Sequence, residues 1–196
     1  PFIEINQITA SLPVDSVLIE FQKYEPLNLD NLLPNTKASE KYMAFILKPS
    51  GQIDVVDLGR ADVIDNKIQE ALFETQQGYD SVNARWKEVR KIVLNPLAAA
   101  TVGSKQLFIS PDAELHRVPF TLLRDQNTNK ILGDAIEFHL LTSGRELLGL
   151  TKKMELKSER LLVVANPDFN STDRAIENTK TESETKTSNN TNRSRN

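Results

Sequence analysis

The sequence predicts an α/β domain built on a mixed, partly parallel sheet. Strand-like runs alternate with helical stretches along the chain, the pattern of helices layered on a sheet. Two of those runs, Gln106-Leu107-Phe108-Ile109 and Leu161-Leu162-Val163-Val164, are almost continuously apolar, as strands covered on both faces are. The first three strands follow one another with no helix between them and read as an N-terminal antiparallel region, at an edge or in a side sheet.

Residues 4–12 form a short helix that Pro13 stops. Val17-Leu18-Ile19-Glu20-Phe21 is the first strand, and 26–41 is a polar loop. Tyr42-Met43-Ala44-Phe45-Ile46-Leu47 is the second strand. Pro49-Ser50-Gly51 turns the chain into a third, Ile53-Asp54-Val55-Val56-Asp57-Leu58, to make a hairpin. Ile64, Ile68, Ala71 and Leu72 recur at helical spacing up to Gly78. Asp80 caps a second helix whose stripe is Val82, Trp86, Val89 and Val93, with Trp86 as a core anchor and Pro96 near its end.

Gln106 to Ile109 is a buried-type strand ending at Ser110-Pro111. Residues 115–118 are expected to return as a short strand. Pro119 opens a helical turn through Phe120, Leu122 and Leu123. Residues 135–141 form another strand, Ser143 caps a helix over 144–150, and 160–165 is the last strand before the Asn166-Pro167-Asp168 turn. From Ser171 onward only Ala175 and Ile176 are apolar, too little to offset the entropy of ordering, so 171–196 is expected to be a disordered polar tail.

The net charge of −3 and pI near 5.5 argue against a nucleic-acid partner. No apolar run nears the roughly 18–20 residues of a membrane span, and no secretion signal opens the chain, so no membrane partner and a cytoplasmic location are expected. There is no cysteine, which excludes a thiolate nucleophile, a disulfide or a thiolate zinc site within these residues. With two histidines and seven glycines and no phosphate-loop motif, neither a metal nor a nucleotide cofactor is expected.

The segment Ser110-Pro111-Asp112-Ala113-Glu114-Leu115-His116-Arg117 is the densest polar stretch flanked by core, and it leaves the carboxyl end of a strand, where α/β sheets bind ligands. On one reading Asp112, His116 and Arg117 line a cleft. On the other it is a tight turn, with Pro111 fixing φ and Asp112 serving as a turn residue. Ser110 is the hydroxyl nearest His116, but no G-x-S-x-G elbow surrounds it. His139 reads as structural. Asp54 and Asp57 point to opposite faces of one strand, and Asp62 and Asp65 read as helix-initiating charge rather than as a metal cluster.

The order of segments resembles the N-terminal part of the CHAT family, a caspase-like family that often accompanies tetratricopeptide repeats in bacteria. Leu12 to Phe21 is similar to its opening strand, and Tyr42 to Leu47 with Val56-Asp57-Leu58-Gly59 to its hairpin. Leu107-Phe108-Ile109-Ser110-Pro111-Asp112-Ala113-Glu114-Leu115-His116-Arg117-Val118-Pro119-Phe120 is similar to its early signature, in which glycine is usual at position 113. Thr142-Ser143-Gly144-Arg145-Glu146 and Val163-Val164-Ala165-Asn166-Pro167-Asp168-Phe169 follow in order.

The resemblance implies an incomplete caspase-like three-layer sandwich over 1–170, with the tail 171–196 outside it. It also implies kinship with cysteine endopeptidases whose His-Cys dyad lies in later motifs, so no catalytic residue carries over to this sequence. A truncated domain, not proteolytic alone, is the expectation. The alternative is a non-catalytic protein–protein interaction module, with a protein or peptide partner, repeats encoded upstream, and 115–118 or the Val17 strand as docking surfaces. A receiver-like or small-ligand domain using the 110–117 turn is a third reading.

Overall fold

The computed structural model describes residues 3–27, 39–125 and 127–150, all within the first of the two units into which the chain divides, Pro1–Lys153. The expected strand over 160–165, the turn after it and the tail 171–196 lie outside the described residues.

The fold is α/β, built on one five-stranded mixed sheet in the order β3-β2-β1-β4-β5. β1 (Ser16–Tyr24) sits at its centre. It runs antiparallel to β2 (Lys41–Leu47), which pairs antiparallel with β3 (Ile53–Arg60). On its other side β1 runs parallel to β4 (Gln106–Ser110), which runs parallel to β5 (Glu137–Leu140). The antiparallel strands are therefore one flank of the sheet rather than a separate one, and β1 belongs to both halves.

Position explains the composition of β1. A central strand is covered on both faces, so Ser16 to Ile19 and Phe21 are all buried and Val17, Leu18 and Ile19 are apolar without alternation. Val17, Ile19 and Phe21 face the first layer of helices, α2 (Ala61–Gln77) and α3 (Val82–Val93). Leu18 faces the other side, in a smaller cluster with Leu12, Leu47, Phe108, Leu141 and Leu147 beside α1 (Ile5–Thr9) and α5 (Leu147–Leu150). These two clusters make the three layers.

α2 buries Ile64, Ile68 and Ala71, one face at helical spacing. It ends on Gly78 at φ 69°, with the amides of Gly78 and Tyr79 closing back on Thr75 and Glu74, as a left-handed cap requires. α3 begins one residue later than its sequence suggests. Ser81, not Asp80, occupies the cap position, because the Ser81 carbonyl takes the first helical bonds from Ala84 and Arg85. Trp86 is half-buried and ties α3 to α2 by donating its indole N–H to Thr75 Oγ1 at 3.0 Å. A short helix α4 (Ala98–Thr101) precedes β4.

Residues 115–118 are not a strand. Ala113–Arg117 is a 3₁₀ helix, held by Leu115 N–H to Asp112 C=O at 3.0 Å and Val118 N–H to Leu115 C=O at 3.1 Å. The buried pair Leu115 and Val118 is spaced by three, the 3₁₀ period, where a strand would need two. Neither expected docking surface is a sheet edge, since 115–118 is helical and the Val17 strand is central. The turn at Pro119 and the Ser143 cap are as expected, with Ser143 Oγ accepting the Arg145 amide.

Candidate functional site

β1 and β4 are parallel, so their carboxyl ends open on the same side of the sheet. Pro111 is buried as the chain leaves β4, and Asp112 turns it. The Asp112 carboxylate gathers three donors there. Its Oδ2 accepts the Lys23 amide at 2.8 Å and the Gln22 side-chain amide at 3.2 Å, and its Oδ1 accepts the Ala113 amide at 2.9 Å. One side chain thus staples the exit of β4 to the end of β1. Ala113 pays a backbone cost for this turn, with φ 47° in the left-handed region.

Beside that staple lies a groove of about 270 Å³, lined by Glu20, Gln22, Phe45, Ser110, Asp112 and Ser143 among others. The Ser110 hydroxyl donates to the Thr142 carbonyl at 3.1 Å. Glu20 Oε1 accepts the Gly144 amide at 2.7 Å. Glycine is required at 144, because a Cβ there would collide with Leu18 Cδ2.

Of the three residues singled out from sequence, the groove takes only Asp112. His116 and Arg117 are exposed on the 3₁₀ helix and do not line it. Arg117 pairs with Glu114 at 3.0 Å, and His116 has no hydrogen-bond or ion-pair partner among the described residues. The residues that share the groove with Asp112, Glu20 and Gln22, are legible only in part. Glu20 is the one charge between Val17 and Phe21, but which strand lies beside it is set by topology.

A second polar cluster sits on the opposite face and ties the same turn to α2. The Tyr42 hydroxyl donates to Asp65 Oδ1 at 2.8 Å and accepts the Glu114 amide at 3.3 Å. Lys23 Nζ lies 3.0 Å from both Asp65 Oδ2 and Glu40 Oε2. Burial, then the Asp65 carboxylate, push the Tyr42 phenol well above its ordinary value, so it stays a neutral donor. The hydrogen bonds to Glu40 and Asp65 raise Lys23 in turn. Asp65 is therefore a cross-layer anchor and not helix-initiating charge. Asp62, in the first turn of α2, keeps that role and pairs with Arg60.

The remaining polar candidates are occupied. Asp54 is held below the usual carboxylate range, first by Lys48 and then by Gln52, and Asp57 by Lys41. Among the described residues no group of three His, Cys, Asp or Glu is placed to hold a metal ion, and no helix is long and apolar enough to cross a membrane. His139 stacks on Phe108 with ring centroids 4.5 Å apart. Its Nε2 lies 3.3 Å from Glu137 Oε1 without hydrogen-bond geometry.

The family model described as CHAT domain matches residues 84–192, more than half of the chain. The chain belongs to the CHAT family. The match takes in most of α3, β4, the Asp112 turn, β5 and α5, and it runs on through residues that composition alone would set apart as a tail. β1 to β3, on which the resemblance also drew, precede it. No curated protein matches the chain. Within this CHAT chain there is no cysteine, and so no thiol to serve as a nucleophile.

Proposed function

We propose that this chain is a non-catalytic CHAT portion: alone it cleaves no peptide, and it acts through contact with a protein or peptide partner. The observation that carries the reading is the absence of any cysteine in 196 residues, because the peptidase chemistry that the resemblance implies runs through a thiolate. The placement of the other groups supports it. A general base must reach the proton it abstracts. Among the described residues the exposed His116 side chain has no partner, His139 is stacked on Phe108, and neither is hydrogen-bonded to a hydroxyl. Ser110, the hydroxyl nearest the signature, gives its proton to a backbone carbonyl.

The test is incubation of the purified chain with a panel of fluorogenic peptides beside a heat-inactivated control. The expected result is no turnover. Turnover that a Ser110→Ala variant abolished would overturn the reading and name the group responsible.

A further inference from the structure

We propose that the groove at the carboxyl edge of β1 and β4, with the exposed strip of Phe45, Ile53 and Val55 on β2 and β3, docks a basic, partly apolar segment of a partner protein. This rests on the reading of the chain as a protein-binding CHAT portion.

The apolar part is a strip on the sheet. Phe45 pairs directly with Val55, and Leu47 with Ile53. Leu47 is covered by the smaller cluster, but Phe45, Ile53 and Val55 are 37%, 47% and 59% exposed. Side chains two apart share a face, so Phe45, Ile53 and Val55 face the same side as Leu18 and Glu20. Phe45 also lines the groove, which makes strip and groove continuous.

Charge selects the occupant. The groove lining includes the carboxylates Glu20 and Asp112 and no lysine or arginine. Among the described residues both accept only from neutral N–H donors: Gly144 for Glu20, and Lys23, Gln22 and Ala113 amides for Asp112. Elsewhere Asp54, Asp57, Asp65, Glu74 and Asp125 each face a cation within 3.4 Å. The groove therefore carries negative charge that no described residue neutralises, and it attracts a cation while repelling nucleic acid and anionic membranes. The Phe45 ring adds a face on which a guanidinium can stack. At about 270 Å³ the groove falls below the roughly 300–1,000 Å³ of small-molecule sites, which suits one long side chain of a peptide.

The probe is a fluorescein-labelled ten-residue peptide alternating arginine and leucine, with a glutamate-for-arginine control, titrated against the full chain by anisotropy at low and high salt. The arginine peptide is expected to bind and the control not to. Glu20→Gln, which keeps an acceptor for the Gly144 amide, should weaken binding about two- to fivefold, the scale of a partly exposed ion pair, and flatten its salt dependence. Phe45→Ser should weaken it comparably with the charge intact, and it serves alone if Glu20→Gln lowers the melting temperature. Equal binding of both peptides, indifference to both variants, or no binding overturns the proposal. So does self-association that Phe45→Ser abolishes, which would assign the strip to a second copy. Cleavage of the peptide would sink the non-catalytic reading and leave the docking site standing, whereas absence of binding without cleavage sinks the docking site alone.

Discussion

Replacing Asp112 by alanine removes one acceptor shared by three donors. The amide of Lys23 is partly buried, and its bond at 2.8 Å is charge-assisted, worth about 1.5–3 kcal/mol including the unsatisfied donor left behind. The bonds from Gln22 and Ala113 are exposed, so water replaces much of each, and about 0.5 kcal/mol apiece is the share expected from them. The sum is about 2.5–4 kcal/mol. For a chain of this size that lowers the melting temperature by about 5–15 °C. Asp112→Asn, which keeps one acceptor oxygen, should lose about half as much. Urea denaturation followed by far-ultraviolet circular dichroism measures both, and an unchanged slope would show that the midpoint shift is a stability change. A loss below about 1 kcal/mol for Asp112→Ala would refute the assignment of Asp112 as the staple between β4 and β1.

The other predictions concern the backbone and the Tyr42 cluster. Ala113→Gly relieves a left-handed alanine that costs about 1–2 kcal/mol, partly offset by the extra entropy of glycine in the unfolded chain. A net gain of about 0.5–1 kcal/mol, seen as a melting temperature about 1–4 °C higher, is expected, and a fall would show that the turn is not strained. Tyr42 and Lys23 are both raised on folding, so their contributions are complete below about pH 10, where the unfolded groups begin to titrate, and vanish as the pH rises through the higher folded values. The chain should lose urea stability between about pH 10 and 12, and Tyr42→Phe should be less stable at pH 7 yet decline less steeply above pH 10. Identical slopes for the two proteins would remove Tyr42 as a source of the alkaline loss.

What the sequence made legible was whatever depends on local pattern. β4 declares itself as an apolar run because burial on both faces leaves no room for alternation. Gly78 and Ser143 mark helix boundaries because their cap roles are chemical and local. The failures share a cause as well. Residues 115–118 look strand-like until Asp112 captures the Ala113 amide and the Leu115–Val118 spacing of three settles into a 3₁₀ turn. Asp65 looks like a helix-start charge, and only the packing of α2 over β1 and β2 brings it to Lys23 and Tyr42. In the site, Asp112 could be named from the turn, but Glu20 and Gln22 lie about ninety residues away and become its neighbours through the parallel pairing of β1 with β4.

The two faces of the sheet settle their polar groups differently, and that difference separates architecture from recognition. On the first face Tyr42, Asp65, Lys23 and Glu40 satisfy one another, and the helices α2 and α3 cover the apolar core. Such a network rigidifies the end of β1, with its one cation and two carboxylates engaged with one another. On the second face α1 and α5 cover the Leu18 cluster, and the neighbouring positions carry Phe45, Ile53 and Val55 together with carboxylates that, among the described residues, meet neutral donors alone. A stable sheet does not need that arrangement at positions 53 and 55, where about half of each side chain is exposed and a polar residue would cost little burial. A docking surface does need it, because apolar area supplies attraction while unpaired charge selects the partner.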